Sequence, residues 1–200
     1  MKVLHIASAA SPDSRHIATA VEALRRGAVI IYPTDTLYAL GCDALNARAV
    51  EALCRIKGIN PEKNTLSIVC CDISQASEYA RIDNRAFRIL KDSLPGPYTY
   101  ILPAATSLPK PFRGRRCVGV RVPDCNISRE LARELGNPLM TSSVLPPAED
   151  PELVADASAL ALAYGHVRGI ELTLDGGEGS LRPSTVVDLV DSSAPVVVRE

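Results

Sequence analysis

The chain has 200 residues, of which 46% are hydrophobic and 22% are charged, and its formal net charge is −1. A chain of this size buries a substantial apolar core, so we expect one globular domain over residues 1–200 that needs no metal or disulfide support. The near-neutral charge, the absence of tryptophan and the presence of only two phenylalanines argue against an RNA-binding platform of stacked aromatic rings.

The sequence also indicates the compartment. No run approaches the roughly 18 apolar residues of a membrane span, and the first residues, MKVLHI, lack a signal-peptide profile. We therefore predict a cytoplasmic protein without membrane contact. The six cysteines form no CxxC pair and no Cys/His spacing typical of zinc, which predicts reduced cysteines in or near the core and no structural metal.

Strands and helices alternate in the first half of the chain. A short strand over residues 1–8 precedes a helix that Asp13 or Ser14 caps. The strand Val29–Tyr32 is a run of buried apolar residues, and Pro33 ends it because proline cannot donate to a sheet. The elements predicted next are a helix from a cap at Asn46 to Lys57 with Gly58 as its stop, a strand at 66–70, helices at 74–80 and 84–94, and a strand at 98–102.

Strands crowd together in the second half. The long connection 103–116 is rich in proline and arginine, which predicts a functional or mobile loop. The remaining pattern predicts strands at 117–122, 139–144, 170–174, 185–190 and 196–199, helices at 128–135 and 152–164, and a surface loop at 145–151. This order favours an α/β fold around a mixed, twisted sheet flanked by helices.

A polar turn, Thr34-Asp35-Thr36, follows the central strand. Hydroxyls and a carboxylate at the carboxyl end of a core strand lie where open α/β sheets usually bind ligands. The alternative is an Asx-type turn in which Asp35 and Thr36 satisfy their own backbone.

Two cations also have two interpretations each. Arg121 lies within a strand of valines, and a buried arginine is typical either of an anion site or of an inner salt bridge, here to Asp188 or Asp124. Lys57 ends a helix close to Lys63, and it either binds an anionic ligand or complements the helix dipole.

Three consecutive hydroxyls, Thr141-Ser142-Ser143, end an apolar strand. Small hydroxyls and exposed amides at such a place bind phosphate or carboxylate oxygens without adding bulk. The alternative is an ST-turn that leads into the following proline-rich loop. No Ser-His-Asp or Cys-His set is present, so any catalysis would rest on positioning and charge neutralisation.

Six motifs in this order together resemble the YrdC/TsaC family, in detail most like its YciO branch. They are Tyr32–Cys42, 55–58 (RIKG), 95–99 (PGPYT), 118–123 (VGVRVP), 141–143 (TSS) and 183–188 (PSTVVD). The resemblance implies a single YrdC-like α/β domain whose mixed parallel and antiparallel sheet carries a concave basic cavity. It also implies a glycine and a short tail after Glu200.

The resemblance further implies an activity. Members of the family form L-threonylcarbamoyl-adenylate from L-threonine, bicarbonate and ATP with Mg²⁺, release pyrophosphate, and so supply the threonylcarbamoyl modification of adenosine-37 in tRNA. By matched position, Thr34, Thr36 and Arg121 would bind the substrate. The nucleotide would be held by Lys57, Lys63, Thr141, Ser143, Ser184 and Arg199. No residue is assigned as a nucleophile or a base.

Two departures from the family pattern fall on the nucleotide half of this site. Ile59 stands where the family has an arginine, and Leu145 stands where it has an asparagine. The losses favour, as an alternative, a YciO-type protein that binds double-stranded RNA, tRNA or rRNA and lacks robust synthase activity. The cations assigned to that role are Lys110, Arg113, Arg115 and Arg116.

Overall fold

The structure is a computed structural model that describes residues 1–8, 10–60, 66–105, 114–144 and 151–200. These residues form ten strands: β1 (Lys2–His5), β2 (Val29–Tyr32), β3 (Ala39–Asp43), β4 (Ser67–Val69), β5 (Tyr98–Pro103), β6 (Cys117–Arg121), β7 (Leu139–Ser143), β8 (Ile170–Asp175), β9 (Thr185–Asp188) and β10 (Val196–Arg199). All ten belong to one sheet in the order β1-β8-β2-β3-β7-β4-β6-β5-β9-β10. The pairing is mixed, since β2 lies parallel to β8 but antiparallel to β3.

Helices lie on both faces of this sheet. They are α1 (Ser14–Arg25), α2 (Ala47–Lys57), α3 (Ile73–Ser77), α4 (Asn84–Ser93), α5 (Asn126–Leu135) and α6 (Ala157–Ala163), with a 3₁₀ helix at Pro151–Ala155. The predicted α/β class, with a mixed sheet flanked by helices, is therefore confirmed.

Each face of the sheet has its own apolar cluster. Leu53 of α2, Leu90 of α4 and Leu160 of α6 pack on one face. Val21 of α1 and Leu131 of α5 pack on the other. Because successive residues of a strand point to opposite faces, both faces of the strands between these helices are buried.

The helix starts follow the sequence signals where a side-chain cap is present. The Asp13 carboxylate accepts from the amide of Arg15 at 2.8 Å, and the Asn46 side chain accepts from the amide of Ala49 at 3.2 Å. Gly58 ends α2 in the left-handed conformation, with φ at 64°, which glycine adopts without strain.

The sequence pattern does not predict strand β3. Its sequence, Ala39-Leu40-Gly41-Cys42-Asp43, is short and contains a glycine, so it carries no clear strand pattern of its own. Pairing with the two neighbouring strands, β7 and β2, stabilises β3 instead. All five residues pair with β7, and three of them pair with β2 on the other side.

The helix predicted over 152–164 is wrong in its extent. The Asp156 carboxylate accepts from the amides of Ser158 and Ala159, which starts α6 only at Ala157. The preceding turn is a separate 3₁₀ helix. Smaller differences affect other ends: α3 stops at Ser77 rather than Ala80, α5 starts at Asn126 rather than Ser128, and β9 stops at Asp188 rather than Val190.

Within the part of the chain that the structure describes, no helix combines the length and the apolar character that crossing a membrane requires. The six cysteines are free thiols, with Cys42, Cys54 and Cys70 buried and the other three half-buried. Burial raises the pKa of the Cys70 thiol well above its ordinary value, which disfavours thiolate chemistry there.

Candidate functional site

A cavity of about 250 Å³ lies over the strands β7, β4, β6, β5 and β9. The cavity lies on the same face of the sheet as the apolar cluster to which α1 and α5 contribute. Thr141 lines the cavity, and Leu139, two residues earlier on the same strand, packs in that cluster. Residues two apart on a strand point to the same face. No residue of α1 or α5 lines the cavity. The lining residues are Ile59, Leu66, Ser67, Thr99, Ile101, Arg121, Met140, Thr141, Ser142, Ser143, Ser184, Val186 and Arg199.

The lining combines two arginines with six hydroxyl groups, and the described lining contains no carboxylate. Its floor is a cross-strand row in which Ser67 pairs with Thr141 on one side and Gly119 on the other. A Cβ at Gly119 would lie 2.4 Å from Oγ of Ser67, so only glycine leaves this floor open. The cavity therefore has the chemistry of an anion-binding site.

Arg121, at the end of β6, is the buried cation of this cavity. Only 6% of its side chain is exposed, and its Nη2 donates to Oδ1 of Asp35 and to Oγ1 of Thr36, both at 2.9 Å. Burial lowers the pKa of the guanidinium, while the Asp35 carboxylate acts in the opposite direction. Nε of Arg121 is buried and has no hydrogen-bond partner among the described residues.

The salt bridge of Arg121 is made with Asp35, so both partners proposed from the sequence, Asp188 and Asp124, are wrong. The Asx-type interpretation of the turn is wrong as well. Asp35 reaches across to Arg121 and, with Oδ2, accepts from the backbone amide of Asp124 at 2.9 Å. The local turn bonds are made by Thr34 instead, which donates to the carbonyl of Leu37 at 2.7 Å.

Thr34 and Thr36 are buried, at 9% and 4% exposure, and neither lines the cavity. Their hydroxyls lie 3.0 Å apart, and Thr36 is the neighbour of Arg121. The structure thus brings both residues next to Arg121 but does not place them among the described residues that line the cavity.

The hydroxyl run on β7 lines the cavity throughout. Oγ1 of Thr141 accepts from the Tyr32 hydroxyl at 2.8 Å. Burial raises the pKa of the Tyr32 phenol, which therefore stays a neutral donor. Thr141, Ser142 and Ser143 continue β7 as a regular strand paired with β3, so the ST-turn alternative is wrong.

Lys57 reaches from the end of α2 to the carboxyl end of β7. Its ammonium donates to the main-chain carbonyl of Ser143. Burial lowers the pKa of this ammonium. An ammonium has three donors, and this contact uses one of them. Lys57 itself is not among the lining residues, and it lies at the Ser143 edge of the cavity.

The opposite edge is formed by β5, β9 and β10. Oγ of Ser184 lies 2.8 Å from Oγ1 of Thr99, and both residues are buried. Nη2 of Arg199 donates to the Ser184 carbonyl at 3.0 Å. Because Arg199 is exposed while Arg121 is buried, the two guanidinium groups bound the cavity at different depths.

Several residues singled out from the sequence lie outside the described ranges: Lys63, Lys110, Arg113 and Leu145. Ile59 is described, and it lines the cavity and packs against the larger apolar cluster. Arg115 is half-buried close to Cys54 and Cys117, and burial lowers its pKa, whereas Arg116 is exposed. The described part of the proposed RNA-binding set, Arg115 and Arg116, therefore contains one exposed cation.

Three polar residues of the site were not among the candidates from the sequence. Asp35 holds Arg121, Thr99 lies against Ser184, and Ser67 lines the floor of the cavity. Asp35 and Thr99 belong to motifs quoted for the resemblance, whereas Ser67 lies outside all six. The spatial partners of Asp35 and Thr99 lie 86 and 85 residues away, and no local pattern reveals such pairs.

A larger groove, of about 730 Å³, runs between α1 and α5. Its charged lining residues, Arg15, Arg129, Arg133, Glu130 and Glu134, mix both signs. Arg133 pairs with Glu130, and Arg129 lies 3.4 Å from the carboxylate of Asp124. We place the candidate site in the smaller cavity because, of the two described linings, that one contains a buried cation, Arg121, and no carboxylate. Among the described residues, no group of three or more His, Cys, Asp or Glu side chains converges on a metal position.

Comparisons with known proteins identify close relatives of this chain. The chain is 38% identical over 197 residues to YciO of Escherichia coli K12, with 95% of this chain and 91% of that protein covered. The crystal structure of E. coli YciO superposes with a TM-score of 0.88 at 35% identity over the superposed chains, covering 100% of this chain and 96% of that one.

Two further comparisons concern proteins with a described activity or ligand. A threonylcarbamoyl-AMP synthase of Chromobacterium violaceum is 35% identical over 181 residues, which cover 89% of this chain and 91% of that protein. A crystal structure of P. abyssi Sua5 complexed with L-threonine matches with a TM-score of 0.84 at 28% identity, covering 100% of this chain and 57% of that one.

The model of the Sua5/YciO/YrdC family, described as "Telomere recombination", matches residues 22–200. That range contains all six motifs and every residue of the cavity lining. The family resemblance and the likeness to the YciO branch are thus confirmed, and the chain belongs to the Sua5/YciO/YrdC family.

Proposed function

We propose that this protein forms L-threonylcarbamoyl-adenylate from L-threonine, bicarbonate and ATP, and so supplies the threonylcarbamoyl group for tRNA modification. The observation that carries the proposal is the buried Arg121 in a cavity whose described lining holds six hydroxyls and no carboxylate. A guanidinium held in such surroundings favours an anionic ligand group, because charge-assisted hydrogen bonds are stronger than neutral ones. The threonine complex of Sua5 and the synthase relative support the same function.

The amino acid would lie at the Arg121 end of the cavity. Arg121 provides a fixed cation, and the hydroxyls of Ser67, Thr99 and Thr141 line the neighbouring floor. A guanidinium recognises a carboxylate through directed N–H donors, so it binds and also orients the substrate. The apolar side chains beside the floor suit the methyl group of threonine.

The nucleotide would span the cavity between its two opposite edges, from Lys57 and Ser143 to Ser184 and Arg199, with Thr141 between the amino-acid half and the nucleotide half of the site. Among the described residues, Lys57 uses one of its three donors, on the Ser143 carbonyl, and Arg199 extends from the exposed side. Mg²⁺ would arrive as part of the ATP substrate. These cations would neutralise charge on the phosphates, which is the main protein contribution to such transfers. Lys63 is assigned to the same role by its position in the sequence.

The chemistry requires no protein nucleophile. The amine of threonine takes up bicarbonate with loss of water, and an oxygen of the resulting carbamate attacks the α-phosphorus. The bond to the pyrophosphate oxygen breaks as the new P–O bond forms. The side chains orient the two reactants and neutralise the charge that develops, in agreement with a lining of hydroxyls and arginines.

The test is pyrophosphate release by the purified protein with ATP and Mg²⁺, in the presence and absence of L-threonine and bicarbonate. We expect release that depends on L-threonine, with L-valine a poor substitute because it lacks the hydroxyl. Arg121→Lys should abolish most of this release. Arg129→Lys is the matched control, since Arg129 is a half-buried arginine that donates to the carbonyl of Pro123 and does not line the cavity. Release that is absent, or that does not need threonine, would overturn the proposal.

A further inference from the structure

Arg121 is held on one side by two residues of the turn that follows β2. We propose that Asp35 and Thr36 are positioning residues that act on substrate binding through Arg121. This proposal rests on the threonine-dependent function proposed above. It gives Thr36 a role toward Arg121 in place of the direct contact with the amino acid that the motif pattern alone assigns to it.

The directions of the hydrogen bonds carry the first step. Oγ1 of Thr34 donates its single hydrogen to the carbonyl of Leu37 at 2.7 Å. In the 3.0 Å contact between the two hydroxyls, Thr36 must therefore be the donor and Thr34 the acceptor. Thr34 also accepts from the backbone amide of Thr36 at 3.0 Å. Both hydroxyl hydrogens are thus used within the turn.

Thr36 also has an acceptor role toward Arg121. Its Oγ1 accepts from Nη2 of Arg121 at 2.9 Å. A continuous chain of donors therefore runs from the guanidinium through Thr36 and Thr34 to the Leu37 carbonyl. Such a chain polarises its members in one direction, so the Thr36 oxygen is oriented toward the arginine. A substrate hydroxyl or amine would have to break this chain in order to bind Thr34, whereas Thr36 keeps one acceptor lone pair.

Asp35 supplies the second support. Its Oδ1 accepts from Nη2 of Arg121, and its Oδ2 accepts from the backbone amide of Asp124, each at 2.9 Å. Asp124 lies just beyond the strand that carries Arg121. The carboxylate thus ties the turn after β2 to both the side chain and the backbone of one segment, and only 9% of it is exposed.

The two supports together saturate one nitrogen. Nη2 carries two hydrogens, and Asp35 and Thr36 provide one acceptor for each of them. Nε remains buried without a partner among the described residues. The turn therefore fixes the plane of the guanidinium with which Arg121 meets an anionic group of the substrate, either the amino-acid carboxylate or a phosphate of the nucleotide.

The test compares Asp35→Asn and Thr36→Val with the matched control Asp43→Asn. Asp43 is also a 9% exposed aspartate; its Oδ1 accepts from the amide of Leu45 and from Nδ2 of Asn137, and it does not line the cavity. Calorimetric titrations with L-threonine, L-threoninamide and Mg-ATP measure binding. The ¹⁵N signal of the Nε–H group of Arg121, assigned by its absence in Arg121→Lys, measures positioning directly. Thermal melting shows which variants are folded, and Thr36→Val, being isosteric, replaces Asp35→Asn should the latter not fold.

We expect Asp35→Asn and Thr36→Val to weaken the binding of one anionic ligand tenfold or more and to shift or broaden the Nε–H signal, while Asp43→Asn leaves both unchanged. Weakening confined to L-threonine, with L-threoninamide unaffected, identifies the carboxylate as the group that Arg121 meets. Weakening of Mg-ATP identifies a phosphate. Either result supports the positioning role.

An unchanged Nε–H signal in both variants would overturn the proposal. So would a Thr36→Val protein that loses its preference for L-threonine over L-valine while the signal stays in place, because that pattern reports direct contact with the substrate hydroxyl. A wild-type protein that binds neither ligand would contradict the proposed function alone. The Nε–H signal would then still decide whether Asp35 and Thr36 hold Arg121.

Discussion

The hydroxyl of Tyr32 donates to Oγ1 of Thr141 at 2.8 Å, and the ring of Tyr32 packs against Gly41. Gly41 belongs to β3, the strand between β2 and β7, and it pairs with Ile30 on one side and Thr141 on the other. A Cβ at Gly41 would lie 2.5 Å from Cε1 of Tyr32. The glycine thus lets a core tyrosine reach a hydroxyl that lines the cavity.

Gly41→Ala should destabilise the protein by about 1–3 kcal/mol, because the added methyl group forces the Tyr32 ring out of a packed core. The free energy of unfolding, measured by urea denaturation, checks this. The double variant Tyr32→Leu/Gly41→Ala should lose less stability than the two single variants lose together, since the smaller side chain makes room for the methyl group. Equal stability of wild type and Gly41→Ala would contradict the close approach.

Burial of Tyr32 predicts a loss of stability at high pH. Burial raises the pKa of its phenol above the ordinary value. Above pH about 10 the unfolded chain therefore releases this proton while the folded chain keeps it, and stability falls by about 1.4 kcal/mol for each further pH unit. Tyr32→Phe removes this dependence, at a cost near neutral pH of about 0.5–1.5 kcal/mol for the lost hydrogen bond.

The comparison is made by urea denaturation at pH 7, 9 and 11. We expect the stability advantage of wild type over Tyr32→Phe to be constant from pH 7 to pH 9 and to shrink or vanish at pH 11. A difference that stays the same at all three values would show that the phenol ionises equally in the folded and unfolded states.

Lys57 and Ser143 are expected to contribute to ATP affinity. Lys57→Ala should weaken ATP binding about 10- to 100-fold, the effect of losing a hydrogen bond to a charged group. Ser143→Ala removes only a hydroxyl, because the carbonyl that accepts from Lys57 remains, so its effect should be smaller. Calorimetry with Mg-ATP measures both. Arg55→Ala is the control, since Arg55 is an exposed cation of the same helix. Unchanged affinity in both variants would argue against the nucleotide assignment.

Ile59 offers a gain-of-function test. It lines the cavity at the position where the family pattern has an arginine. Ile59→Arg should tighten Mg-ATP binding by about 10- to 100-fold, because a charge-assisted hydrogen bond to phosphate contributes roughly 1.5–3 kcal/mol. Ile59→Leu keeps the apolar wall and should leave the affinity unchanged. Equal affinities of Ile59→Arg and wild type would mean that this position does not reach the nucleotide.

The RNA-binding alternative has a separate test. A variant in which Lys110, Arg113, Arg115 and Arg116 are all replaced by glutamine should bind tRNA more weakly if these cations contact phosphates. The slope of log affinity against log salt should then fall by up to about 3 units. If the quadruple variant had the same tRNA affinity and the same slope as wild type, these four residues would not belong to an RNA interface.

Local patterns in the sequence determined most of the elements. Pro33 ends β2, Asn46 and Gly58 bound α2, and the order of strands and helices predicted the α/β class. The strand β3 and the start of α6 escaped prediction for different reasons. The strand depends on two neighbours in the sheet, and the helix depends on the Asp156 cap, which the helical pattern of 152–164 concealed.

The sequence by itself determined the family, through six motifs spread over the chain, and it named five of the thirteen described lining residues as candidates: Arg121, Thr141, Ser143, Ser184 and Arg199. Only the tertiary structure decided how those residues act on one another. The partner of Arg121 is Asp35, 86 residues away, and the threonines of the turn are not among the described residues that line the cavity. Local propensity cannot specify such a pair, because the sheet order that brings the turn after β2 next to the end of β6 arises from the packing of the whole chain.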